Sequence, residues 1–424
     1  MSTSTSAAIS QAGPVVAEAP VVHEAVGPPL RPLAVVGVVG VGINSLLSPG
    51  LFPILLGVLD QEHRLSAQGI GIAAMIELLA MGVATGLASV FLPARGLRWI
   101  GALGCLALAG LDVGTAHATG WSLLAWRGAA GVTEGVLLWI TIGMIARSAT
   151  PERWAAVFYT TQVVAQFAVS VAFTALVIPR YGAAGAYLTL AVCSVLSVAF
   201  AAVAPQRYAG LLAGQASAGA PPPRGWIALG ASLVMAGASS AIGVYLEPFA
   251  IQAGLSPGVA NSAVAISLGS QVIGGSAATF LAGRVRYIHV FLVGGLVEIA
   301  CWSVFAMHVP PGWNAFGAPL GAVLFIAANA LSGFVGLILG PFLVPMLIEA
   351  DPSRRAAMQS GGAQLLGSAA GPGVIGAFVV SDGNVHGAVV VGVAMLLAGL
   401  AVIAWLHMTS AKLPSPLSPA EAGA

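Results

Sequence analysis

Charge is what this sequence has least of. Only 7% of its 424 residues are Asp, Glu, Lys or Arg, where a soluble domain carries about 25%. That shortage excludes a water-soluble surface over most of the chain. Lysine is nearly missing: Lys412 stands alone, no basic run exists, and the net charge is +1. Nothing here attracts a nucleic acid. Cysteine is scarce as well. Cys105, Cys193 and Cys301 lie far apart in apolar segments and match no metal or redox spacing, so they read as small buried hydrophobes. No Gly-x-x-x-x-Gly-Lys-[Ser/Thr] loop occurs, which excludes a phosphate-cradling ATPase. The glycine strings "GVVGVG" and "GIGIAA" follow no strand and read as helix packing. No span carries a His/Asp/Glu metal cluster, or a Ser/Lys or Ser/His pair at i, i+4. Neither enzyme chemistry nor a cofactor or metal is expected.

Apolar residues and glycine are what the chain has. The hydrophobic share is 58%, with 55 glycines. Small residues let membrane helices approach closely. About 20 apolar residues cross a bilayer as a helix, and twelve such runs can be counted. They fall near 33–58, 68–93, 99–118, 120–146, 156–179, 184–204, 226–251, 257–281, 287–308, 316–347, 357–380 and 385–407. Prolines 49, 53, 341 and 345 predict kinks in runs 1 and 10. The segments 1–31 and 409–424 read as cytoplasmic tails; the first has no basic start and no apolar core, unlike a signal peptide. The longest break, 205–224, follows six runs. It predicts a cytoplasmic linker between six-helix bundles at 32–204 and 225–408.

Orientation follows the Lys/Arg bias. With the N-terminus inside, one side holds Arg31, Arg95, Arg98, Arg147, Arg153, Arg207, Arg224, Arg284, Arg286, Arg354, Arg355 and Lys412. The other holds Arg64 and Arg180. Both termini are therefore expected in the cytoplasm, of a bacterial inner membrane.

The halves echo each other. "FLPARGLRW" (91–99) matches "FLAGRVRY" (280–287), "LSAQG" (65–69) matches "LSPGV" (255–259), "LFP" (51–53) matches "LEP" (246–248), and "RGAAG" (127–131) matches "NALSG" (329–333). Four matches in one order point to a duplicated six-span unit. Two such halves around a midplane site can rock to alternate access.

On these residues the chain resembles the major facilitator superfamily over about residues 32–408. The loop after span 2 keeps Arg95, Gly96 and Arg98 of the family's Gly-x-x-x-Asp-Arg-x-Gly-Arg-Arg motif, without its Asp. The loop after span 8 keeps Arg284 and Arg286, with Gly283 at the acid's place. Span 4 keeps Arg-x-x-x-Gly as Arg127, Gly131 and Gly135. Span 5 lacks the antiporter's Gly-x-x-x-Gly-Pro, while "GSAAGPGVIGA" stands in span 11. The resemblance implies an all-α fold of twelve transmembrane helices in two pseudo-symmetric bundles, with a cavity lined by spans 1, 4, 7 and 10. It implies a monomeric secondary transporter, with a proton-linked arginine in span 4 and gating loops at Arg95, Arg98, Arg284 and Arg286.

Ionisable groups inside spans cost about 2.5–3.5 kcal/mol each on insertion scales. Arg127 and Glu134, seven residues apart, share one face of span 4, about 10.5 Å apart along the axis. They are the first candidates for solute and proton coupling. Glu247 and Glu77 come next, in spans 7 and 2. Asp112 and Glu298 lie in spans that the resemblance makes peripheral, and read as structural hydrogen-bonding groups. Asn44, Gln162, Gln166, Gln271, Asn329 and Gln364 are neutral candidates for solute contact; Gln162 and Gln166 share a face. The reading is proton-coupled uptake of a small organic solute, anionic or carboxylate at Arg127, by a protein whose other partner is membrane lipid. Efflux of hydrophobic or cationic compounds is the alternative within transport. A non-transporting membrane scaffold is the alternative outside it.

Overall fold

A computed structural model describes residues 27–65, 67–210, 220–307, 309–310, 312–379 and 386–410. The expected tails and the centre of the linker fall largely outside them.

Low charge and high glycine content resolve into a helical membrane bundle. The first half holds α1 (Pro32–Gly50), α2 (Phe52–Gln61), α3 (Ala67–Phe91), α4 (Leu97–His117), α5 (Gly120–Ile145), α6 (Pro151–Ala172), a π-helical turn (Phe173–Val177) and α7 (Ile178–Val203). The second holds α8 (Pro223–Val244), α9 (Leu246–Gln252), α10 (Pro257–Leu281), α11 (Tyr287–Phe305), the strands β1 (Asn314–Ala315) and β2 (Ala318–Pro319), α12 (Leu320–Ala350), α13 (Arg355–Met358), α14 (Ser360–Val379) and α15 (His386–Ser410). Pro32, Pro151, Pro223 and Pro257 open their helices, where the missing N–H has no intrahelical partner to lose.

Among the described residues ten helical stretches have the length and composition to cross a bilayer. One, Pro151–Val203, runs through 53 residues and reverses at Gly182, whose φ is 60° and ψ −154°. It contains expected spans 5 and 6. With those counted separately, and α14 added, the helices match the twelve expected runs. Spans 1 and 7 are interrupted within one residue of equivalent places, Leu51 (φ −105°) and Tyr245 (φ −91°), shortly before Pro53 and Pro248. In span 10, α12 continues as one helix through Pro341 and Pro345. The hairpin of β1 and β2 is too short to leave a sequence pattern. It pairs Asn314 with Pro319 and Ala315 with Ala318.

The duplication shows in how glycines seat the helices. A Cβ on Gly131 (α5) would collide with the Glu77 carbonyl oxygen of α3. Its counterpart Gly333 (α12) presses on Ser267 of α10 in the same way. Lipid offers no hydrophobic drive between helices, so such close approach supplies the packing energy. Gly131→Val is therefore expected to destabilise the purified protein by at least about 1–3 kcal/mol, the range for overpacking. A melting temperature in detergent equal to the unmodified protein's would contradict this seating.

The arginine-rich loops meet at one end of the bundle, called here the basic end. Leu97 N donates to Gln206 O at 3.1 Å and Tyr208 N to Ala94 O at 2.9 Å. One core cluster spans both halves, running from Val38 and Ile142 through Phe342 and Leu347 to Phe249 and Phe305. A second, containing Leu51, Leu59, Leu123 and Tyr187, belongs to the first half alone and lies toward the opposite end. At that end α2 and α9 pack on their own halves. The described polar contacts between the halves include a group at the basic end. The seam between them is made by α3 on α14, and by α6 on α10 and α12.

Candidate functional site

Three acids converge on one arginine inside the first half. Arg127 (α5) has a 1% exposed surface. Its Nε donates to Glu77 Oε2 (α3) at 2.6 Å, and its Nη2 to Glu77 Oε1. Nη2 also donates to Ser48 Oγ (α1) at 2.7 Å, and that hydroxyl donates on to Glu77 Oε1 at 3.0 Å. Nη1 donates to Asp112 Oδ1 (α4) at 3.1 Å. The Tyr187 ring (α7) lies 5.4 Å from the guanidinium carbon.

Glu134 completes the quartet on different terms. Seven residues along α5 from Arg127, it turns to the same side, as the helical period requires. Its Oε1 lies 3.5 Å from Arg127 Nη2, yet neither carboxyl oxygen has a hydrogen-bond partner. Glu134 is wholly buried. Gly131 and Gly135 bring the α3 backbone against this face at Glu77 and Met81, which closes the site from that side. If every member were ionised, one cation would face three anions. Buried charge is tolerated when paired and hydrogen-bonded, and two of those anions would lack a countercharge.

Arg127, Glu134 and Glu77 are thus together, as candidates from the sequence. Asp112 joins them as a direct ligand of the arginine rather than a peripheral support. Ser48 and Tyr187 were not singled out by sequence at all. A fully buried arginine requires acids, and the in-span acids of the same half were the signal for Asp112. Asn44 lies elsewhere. It faces the interior of the first half, accepting from Ser194 Oγ at 3.2 Å and approaching Cys105 Sγ at 3.9 Å. Helix α1 is apolar on every side, so no stripe in its sequence sets its rotation.

One candidate amide bonds across the seam. Tyr159 Oη of α6 donates to Gln364 Oε1 of α14 at 3.3 Å, across the two halves. Gln162 follows one turn later with a buried, unbonded Oε1. Gln166 Nε2 donates to Leu46 O at 2.7 Å. Gln271 and Asn329 are half-buried on α10 and α12. Asn329 stands four residues before Gly333, as Arg127 stands four before Gly131. The second half carries no matching cluster among the described residues. Glu298, the acid on α11, accepts from Ser332 Oγ of α12 at 2.5 Å, a structural hydrogen bond as read from sequence. The side chain of Glu247 lies outside the described residues. No group of three metal-ligating side chains occurs among those described.

Of the expected gating arginines, Arg98 and Arg284 bond within their own halves. Arg98 Nε donates to Ala204 O at 2.6 Å, and Arg95 forms an isolated bridge with Arg207. Arg284 stacks on Phe280 at 4.3 Å, and Arg286 precedes α11. Other residues cross between the halves. Arg354 Nη1 donates to Ala146 O at 2.7 Å and Ser148 O at 3.1 Å, and Arg147 Nη1 reaches Met358 Sδ at 3.2 Å. Hydrogen bonds from a charged donor contribute about 1.5–3 kcal/mol. Arg354→Ala is therefore expected to raise the maleimide labelling rate of a cysteine at Met358 by about tenfold, the factor for 1.4 kcal/mol. An unchanged rate would mean that Arg354 does not hold this end shut.

No family model matches the sequence, and no curated protein matches it by sequence. Solved structures do match the fold. A major facilitator superfamily transporter, FucP, in the outward conformation superposes with a TM-score of 0.69 at 14% identity, over 89% of this chain and 99% of that one. The human organic anion transporter MFSD10 gives 0.64 at 14%, over 89% and 100%. The proton:xylose symporter XylE, bound to 6-bromo-6-deoxy-D-glucose, gives 0.62 at 14%, over 87% and 93%. This chain is an integral membrane protein with the major facilitator superfamily fold.

Proposed function

We propose that this protein is a secondary active transporter of a small organic solute, coupled to protons through the Arg127 quartet. The observation that carries the reading is Glu134: fully buried, without a hydrogen bond, 3.5 Å from an arginine already engaged by two other acids. A scaffold gains nothing from that insertion cost, whereas a group that takes and gives a proton needs such a setting. Two solved structures of this fold are of proton symporters, one of fucose and one of xylose, which supports the same chemistry here.

Each guanidinium nitrogen of Arg127 already donates to Glu77, Asp112 or Ser48 in this state. A carboxylate solute would compete there with Glu77 and Asp112. The seam amides Gln162, Gln166 and Gln364 are the better placed to hold a hydrogen-bonding solute as the halves rock. Solute and proton sites then communicate through α1 and α5, which carry Ser48 and Arg127. With the basic end in the cytoplasm, the contacts of Arg354 and Arg147 across the halves close the side facing the cell interior.

Flux into proteoliposomes tests the function. Sugars and carboxylates would be screened with and without an imposed pH gradient. Accumulation above equilibrium that collapses with the gradient supports the reading. Flux indifferent to the gradient contradicts coupling. Orientation has its own test: cysteines placed at Arg64 and Gln206 should label from opposite sides of the membrane, with Gln206 inside.

A further inference from the structure

A second arginine at the basic end has no counter-ion among the described residues. Arg147 follows α5 and is 7% exposed. Its Nε donates to Ala209 O at 2.9 Å and its Nη1 to Gly143 O at 2.8 Å. The Tyr208 ring lies 5.3 Å from its guanidinium carbon. No acid among the described residues pairs with it, and no hydrogen bond is made by Nη2. Glu152, close in sequence, forms no ion pair with it among the described residues, and its buried Oε2 has no hydrogen-bond partner. The α5 carbonyl end offsets part of the charge. Burial, with the neighbouring Arg354, still lowers Arg147 from the usual arginine value to about 10, against the pull of Tyr208. Leaving a buried cation without a partner is costly.

Beside Arg147 lies a cavity of about 300 Å³. Two of its lining groups are cationic, Arg147 and the exposed Arg207. Most of the remaining wall is apolar, including Leu30, Val35, Met144 and Trp154. Inorganic phosphate alone would leave that wall empty.

We infer that this cavity binds an anion on an apolar body, a carboxylate or phosphate group carried by a hydrocarbon or aromatic moiety, with the anion at Arg147 and Arg207. The site is separate from the quartet and from the seam amides. It also touches the closure: Arg147 reaches Met358, and the neighbouring Ser148 carbonyl accepts from Arg354. A ligand that binds this arrangement better than the open one shifts the population toward it. Occupancy therefore holds the basic end shut. The anion can come from a membrane phospholipid headgroup or from a soluble organic acid.

Thermal melting of the purified full chain tests the site, with phenyl phosphate and hexanoate as soluble probes and equal chloride as control. The unmodified protein should show a saturable rise in melting temperature. Arg207→Gln, on an exposed side chain, and Val35→Phe, which fills the cavity with both arginines kept, should each weaken the response by at least about tenfold, the worth of one charge-assisted contact. Arg147→Gln should abolish it. Nanodiscs separate the sources. If phosphatidylglycerol, unlike phosphatidylcholine, raises the melting temperature and removes the probes' effect, the occupant is lipid. If the probes act equally in both, it is a soluble acid. No saturable shift in detergent or in either nanodisc overturns the site, as does an undiminished response in Val35→Phe and Arg207→Gln.

Discussion

Arg127→Ala is expected to abolish transport and to lower stability more than any other single substitution in the quartet. The guanidinium satisfies both oxygens of Glu77, one of Asp112 and the hydroxyl of Ser48. Removing it leaves acids from α3, α4 and α5 facing one another in a volume closed to water. Breaking a buried pair in this way costs about 3–5 kcal/mol. The acids can relieve part of that cost by taking up protons, which would fix the quartet in its protonated form. Arg127→Lys should be intermediate. An ammonium keeps the charge but lacks the planar fork that serves Glu77 and Asp112 together. The measurement is the melting temperature of each variant beside its flux in proteoliposomes. Arg127→Ala with normal stability and normal flux would remove the quartet from the account. Glu77→Gln added to Arg127→Ala should recover stability without recovering coupling, because it removes an unpaired acid and restores no cation.

Much of the fold was legible because hydropathy reports membrane spans directly. The turn at Gly182 fell between expected spans 5 and 6, and the breaks at Leu51 and Tyr245 lie beside prolines that sequence motifs had already aligned. The pairing of Arg127 with Glu134 was legible for a similar reason: seven residues make nearly two helical turns. Less could be read where a side chain's direction depends on its helix's rotation. Asn44 points into its own half because α1 buries nearly every side. Asp112 was assigned to a support helix by analogy, although a buried arginine's need for acids outweighed its span number. The closure by Arg147 and Arg354 was hidden differently. Its acceptors are backbone carbonyls and a methionine sulfur, which no sequence motif marks.

Glu134→Gln is the variant whose effect is largest on coupling and smallest on structure. The amide is close in size to the acid, and neither carboxyl oxygen loses a hydrogen bond, since none is made. It can carry no proton on and off. When α5 faces water in one state and closes in the next, Glu134 would exchange a proton with one side and be sealed from it afterwards. Solute and proton binding are then linked by a shared coupling energy, reciprocal between the two. A glutamine in that place keeps the solute site and the rocking halves but drops the proton from the cycle. Exchange of solute across the membrane should persist near the unmodified rate, while accumulation driven by a gradient should vanish.

The most direct measurement pairs the two proteins in proteoliposomes, with an imposed inward proton gradient and labelled solute on both sides or on one. The account predicts equal exchange, with accumulation above equilibrium by the unmodified protein and none by Glu134→Gln. If Glu134→Gln concentrates solute as the unmodified protein does, Glu134 is not the coupling site and the central claim is wrong.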